Sequence, residues 1–131
     1  VVSWMGRAFE VICLQHFRQI LKALGISGMA TSVATWKSPG DEKNRGAQVD
    51  MTIERADRMI HLCEMKFYQD KFRLTEDYVE RLRKRRETFI ETKRIRKAVV
   101  HTFVTTFGLA NPTYSSIVHS EVTMEDLFLP L

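Results

Sequence analysis

The stretch GAQVDMTIERADRMIHLCEMKF, residues 46–67, decides the fold. Gln48–Glu54 and Met59–Phe67 read as two strands, and the polar Arg55-Ala56-Asp57-Arg58 joins them, so the pattern predicts a β-hairpin. Three ionisable residues, Asp50, Glu64 and Lys66, stand where a core sheet calls for apolar ones. With the turn centred near residues 56–57, Asp50 comes opposite or diagonal to Glu64, and cross-strand neighbours have Cβ atoms roughly 5 Å apart. Glu64 and Lys66 are two residues apart and share a face of their strand. A register slip of one residue would send Asp50 to the opposite face.

The rest of the chain builds outward from this hairpin. Between Ser3 and Leu24 apolar residues recur at helical spacing, through Phe9, Ile12, Cys13, His16, Phe17, Ile20 and Leu21, and Gly25 is a natural stop. Ala30–Ser38 reads as a strand, and Lys37–Ala47, with Pro, two Gly and dense charge, as a loop. Thr75 followed by Glu76 and Asp77 opens a second helix, whose apolar stripe of Tyr78, Val79, Leu82, Phe89 and Ile90 ends near Thr92. Lys97–Phe107 is nearly continuous in apolar and β-branched residues, as in a central strand covered on both faces. Gly108–Ser116 reads as loop, Ile117–Val122 as a last strand and Met124–Leu129 as a helical turn or tail. The order α, β, β, β, α, β, β predicts an α/β sandwich with a mixed sheet and helices on both faces. At 131 residues the chain, 1–131, is expected to be one domain.

Composition excludes several classes. The 44% hydrophobic and 27% charged content is that of a globular protein, and no run approaches the roughly 18 apolar residues of a membrane span. The N-terminal apolar positions are interrupted by Arg7, Glu10 and His16, so no signal peptide is read. The absence of an initial Met leads us to expect a fragment of something longer. Cys13 and Cys63 form no CxxC pair, which argues against a disulfide framework or zinc ribbon and favours a cytoplasmic setting. Nine of the seventeen residues from Arg81 to Lys97 are basic, fitting either a solvated helix face or a phosphate-binding one.

Two acids opposed on a half-buried sheet repel each other. Lys66 neutralises one of them in a purely structural Asp–Lys–Glu cluster. A divalent cation accounts for the arrangement better, and hard oxygen ligands point to Mg²⁺ or Mn²⁺. Glu10, beside apolar Cys13, Leu14 and Phe17 in the first helix, is a further carboxylate in need of a partner, either Arg7, solvent or the same ion.

Asp50, thirteen residues, then Glu64-Met65-Lys66 on consecutive strands resembles the PD-(D/E)XK nuclease superfamily, the restriction-endonuclease-like fold. Asp50 matches the D, Glu64 the (D/E) and Lys66 the K; Val49 stands where a proline often precedes the Asp. The α, β, β, β, α, β core is the order that fold implies. Glu10 matches the first-helix acid that completes the metal site in many members, including archaeal Holliday-junction resolvases. The phrases AFEVICLQH, GAQVDMTIER, HLCEMKF, IRKAVVHTFVTTFG and SEVTMEDLF further resemble the C-terminal domain of bacterial AAA-type ATPases. That likeness implies an N-terminal ATPase domain in the full-length chain; no GxxxxGK[ST] stretch occurs in this one.

The resemblance implies a Mg²⁺-dependent DNA endonuclease without evident sequence specificity. Asp50 and Glu64 would hold the metal, with the Met65 backbone carbonyl and Glu10 as further ligands and Lys66 acting on the attacking water or the phosphate. Lys71 and Arg73, then Arg81, Lys84 and Arg85, are the candidates for gripping a nucleic-acid backbone. Related resolvases act as dimers, so a homodimer is a further expectation, and no membrane partner is implied. The competing class is a nuclease-like module that has lost activity and persists as a DNA- or protein-docking surface. A regulatory or toxin-like partner domain is a third reading. The remaining conspicuous residues read as structural: His16 in the helix stripe, His61 and Cys63 opposite in parity to Glu64, and Trp4 and Trp36 as packing residues. His101 and His119 have no ligand partners at close spacing, and Tyr78 could touch the site.

Overall fold

The computed structural model describes residues 2–38, 47–110 and 116–131. Helices α1 (Val2–Gln15) and α2 (Phe17–Ala23) precede strands β1 (Thr31–Ser38), β2 (Ala47–Arg55) and β3 (Met59–Lys66). Helix α3 (Glu76–Lys93) crosses to β4 (Ala98–Thr105), and β5 (Val118–Thr123) runs into a last turn, α4 (Met124–Leu127). The five strands form one sheet in sequence order, antiparallel from β1 to β3 and parallel from β3 to β5. The expected mixed α/β sheet flanked by helices is therefore found. Most of the loop expected at Lys37–Ala47, and residues 111–115 of the one at Gly108–Ser116, lie outside the described residues.

Alternation along β3 assigns the two faces. Cys63 and Met65 pack with Phe9 and Cys13 of α1, Ile20 and Leu21 of α2, and Leu127 of α4. Ile60 and Leu62 pack on the other side with Phe89 of α3, while Phe103 of β4 meets Val79 and Leu82. The crossover helix begins where its cap dictates: the Thr75 hydroxyl accepts the Tyr78 N–H at 3.2 Å, and Glu76 and Asp77 complement the helix dipole. It ends at Arg94, whose positive φ of 53° turns the chain into β4.

Three expectations are corrected. The first helix is not continuous to Leu24 but breaks at His16. No Gly or Pro causes this. The His16 ring meets Phe128 edge-on at 4.9 Å, and Lys22 Nζ donates to the Pro130 carbonyl at 2.6 Å, so α2 is redirected by its contact with the C-terminal segment. Trp4, expected to pack, is exposed, and Phe17 lies at the surface instead of in the buried stripe. Finally, β4 stops at Thr105, whose hydroxyl accepts the Gly108 N–H at 2.7 Å; Gly108 carries a φ of +89° that favours glycine.

Candidate functional site

The hairpin register agrees with the expected centre: Met51 pairs with Cys63 and Glu54 with Ile60. One step further along, β2 departs from regular alternation. On its β1 side Ala34 pairs with Thr52, but Trp36 pairs with Val49, so Asp50 and Met51 together oppose the single Thr35. That is a β-bulge. Val49 is thereby placed on the α3 face with Trp36 and Phe89, while Met51 stays on the α1 face. Asp50 lies between them, within the bulge. Its carboxylate accepts the Met65 backbone N–H at 3.1 Å. Strand periodicity alone would not have put it there.

Glu64, next in β3, faces α3 and is 1% exposed. A carboxylate so buried needs partners. Arg85 supplies an ion pair to its Oε1, and the Tyr78 hydroxyl donates to the same oxygen at 3.2 Å. Burial raises the Glu64 carboxyl above the usual range; Arg85 pulls it back, and the charge on Asp50 pushes it up again. Tyr78 is raised by burial and by Glu64. Lys66 Nζ lies 5.5 Å from the centre of the Tyr78 ring, and Arg81 caps that ring at 5.3 Å.

Glu10 approaches from the α1 side. Burial raises its carboxyl, as does the charge of Asp50, against the opposing pull of Lys66 and Arg7. Asp50 thus acts electrostatically on acids of both faces, as a group between the two layers would. Among the described residues, however, no three His, Cys, Asp or Glu side chains group closely enough to hold a metal ion. Glu10 comes from the α1 layer, whereas Glu64 is drawn toward α3 by Arg85 and Tyr78. Of the Met65 backbone, the group engaged with Asp50 is the N–H. The donors available are hard oxygens, and Asp50 and Glu64 suit Mg²⁺ in kind, since that ion is commonly held by one or two carboxylates with water and phosphate oxygens completing its shell.

The basic candidates divide. Lys71, Arg73, Arg81 and Lys84 are exposed. Phe72, between the first two, is tied to the end of β4 by hydrogen bonds to Gly108 (2.8 Å) and from Ala110 (2.9 Å), which fixes that segment beside the carboxyl ends of β3 and β4. Arg85 is different: its guanidinium turns inward to Glu64 instead of outward to a phosphate. The sequence carried that signal, because Tyr78, Leu82, Arg85 and Phe89 all fall on one helical stripe and an arginine there needs a buried acid.

Cys13 is buried and pushed up to about 12 by that burial and by the charges of Asp50 and Glu10, which makes it unreactive. His61 and His101 are buried, and both are pushed down to about 4, first by burial and then by neighbouring arginines. A histidine kept neutral in the fold resists the proton that the unfolded chain accepts near pH 6.5. Their stabilising contribution is complete above that pH and is lost as pH falls toward 4. Each contributes on the order of 3 kcal/mol over the full window. The raised pKa values of Glu64 and Glu10 act in the opposite sense and offset part of the loss. Urea unfolding should therefore show lower stability at pH 5 than at pH 7, with a smaller drop in His101→Phe; equal stability at the two pH values together with no change in the substituted chain would show that the imidazoles do not set the balance.

No protein-family model and no curated protein matches the chain. Among solved structures it is similar to the "Protein of Unknown Function AF1548", with a TM-score of 0.56 and 14% identity over 88% of this chain. The match covers 64% of that protein's length. At this distance the likeness bears on the fold alone: a mixed α/β architecture with a central sheet flanked by helices. No helix among the described residues is long and apolar enough to cross a membrane.

Proposed function

We propose that this chain hydrolyses phosphodiester bonds in DNA with the help of Mg²⁺ or Mn²⁺, without sequence specificity. The observation that carries this reading is the placement of Asp50. Asp50 lies in the bulge, the Met65 N–H holds its carboxylate, and its charge bears on Glu64 while Lys66 stands two residues further along β3. A fold that needed only packing would fill this position with an apolar residue. An ion held by Asp50 and Glu64 would neutralise charge on the scissile phosphate and acidify the attacking water. Lys66, tethered over Tyr78, is placed to orient that water or to stabilise negative charge building on the phosphate. Glu10 would contribute from the α1 side through water. Lys71, Arg73, Arg81 and Lys84 would hold the backbone by charge, which favours contact with phosphates over reading of bases. An attached ATPase domain, a cytoplasmic setting and a homodimer belong to the same reading and rest on the sequence resemblance alone.

One observation favours the second reading, an inactive binding module. Glu64 already has Arg85 and Tyr78 as partners, so it is satisfied without a cation. Calorimetric titration with Mg²⁺ and with Mn²⁺ separates the two. Binding that disappears in both Asp50→Asn and Glu64→Gln supports the nuclease. No carboxylate-dependent heat in the intact chain would leave the binding module in its place.

A further inference from the structure

On the same side of the sheet as α3, but toward its far end, lies a cavity of about 520 Å³ bounded by α3, β4 and the start of β5. His101 lines it, is 2% exposed, and has no hydrogen-bond partner on either ring nitrogen among the described residues. Leaving a buried polar group unpaired costs about 1–3 kcal/mol, so two orphaned nitrogens on one side chain call for an explanation. Held neutral, the ring offers one donor and one acceptor. Arg83 and Arg86 stand at the same cavity. Arg86 is fixed there by an Nε hydrogen bond to the Val99 carbonyl at 2.9 Å, leaving its terminal nitrogens without a partner among the described residues. Among the described residues, Arg83 is held only by a 3.9 Å surface contact with Glu80. Val99 and Val118 add apolar wall.

The geometry points to a nucleoside monophosphate unit as the ligand of this cavity. Paired guanidiniums match phosphate oxygens in number and shape. The volume is in the range of small-molecule sites and far exceeds what an inorganic anion needs. A heterocycle against the valine wall would use the donor and acceptor of His101 along its polar edge. The acid in the lining, Glu87, is compatible with ribose hydroxyls, which donate to carboxylates. The ligand is either a free mononucleotide or the terminal nucleotide of a strand. None of these residues belongs to the Asp50–Glu64 pair, so the inference stands or falls apart from the cleavage reading.

The test is calorimetric titration of the whole chain, without divalent metal, with adenosine monophosphate, inorganic phosphate, adenosine and a 5′-phosphorylated tetranucleotide. The mononucleotide or the tetranucleotide should bind at least tenfold more tightly than phosphate or adenosine. Both Arg83→Gln and His101→Phe should weaken that binding tenfold or more. Arg83 is exposed, and His101→Phe removes an unpaired polar group, so neither change threatens folding. The imidazole nitrogen resonances of His101 in the unaltered chain give an independent readout and should shift on binding. Preference for the tetranucleotide identifies a strand end as the source, and preference for the mononucleotide a free ligand. Affinity for phosphate equal to that for either nucleotide, no binding at millimolar concentration, or binding indifferent to both substitutions overturns the proposal.

Discussion

Exchange of Asp50 for asparagine should lower Mg²⁺-dependent cleavage of plasmid DNA by about a thousandfold or more. The substitution is chosen because it separates charge from structure. The amide keeps the length of the side chain and an oxygen that can accept the Met65 N–H, so the bulge and the end of the ladder should persist. What disappears is the negative charge that bears on Glu64 and Glu10, and with it the main attraction for a divalent cation. Lys66→Met should reduce cleavage by a comparable factor. The methionine retains an apolar stem beside Tyr78 but carries no ammonium for the phosphate or the water. Initial rates of supercoil relaxation, with circular dichroism to verify folding, provide the measurement. Undiminished cleavage in either folded variant would remove these residues from the chemistry.

The second large effect concerns stability. Arg85→Met should destabilise the fold at neutral pH by about 3–5 kcal/mol, the usual consequence of leaving a buried charge without its partner. Glu64, 1% exposed, would then keep, among the described residues, the Tyr78 hydroxyl and the more distant charge of Lys66 to answer its carboxylate. The pH dependence makes this specific. Without Arg85 the folded-state pKa of Glu64 rises further above its unfolded value. A carboxyl raised in this way favours the folded state when protonated and opposes it when ionised. The variant should therefore recover stability as pH falls below the range of a raised carboxyl, and lose it again as pH climbs. Adding Glu64→Gln to Arg85→Met should restore most of the loss at neutral pH, because no buried charge remains. Denaturant midpoints for the two single variants and the double variant provide the measurement; a double variant no more stable than Arg85→Met would show that the pair is not what Arg85 serves.

The hairpin was legible because its information is local. Alternation and turn chemistry placed the centre near residue 57, and the observed Met51–Cys63 pairing has that centre. Helix α3 was readable for the same reason, from Thr75, the two acids after it and the apolar stripe. The bulge was not readable. It arises because Trp36 pairs with Val49 and packs edge-on to Phe89 of α3, at a ring distance of 5.2 Å, which demands an extra residue in β2. The break at His16 has a similar origin in contacts with the distant C-terminal segment. Arg85 lay between these cases: its position in the stripe was visible, while its partner was not.

From its residues alone the chain specified strands, helices, their order, and a pairing that brings Asp50 near Glu64, because each of these follows from periodicity and turn chemistry within a few positions. Only the assembled structure decided where the charges point. A carboxylate on β3 chose a guanidinium twenty-one residues away on α3, Asp50 was set in a bulge by the pairing of a neighbouring strand, and His101 was left without a partner among the described residues, beside two arginines. Such choices depend on which groups share a buried space, and in a folded chain that neighbourhood is set by long-range contacts that no local pattern encodes.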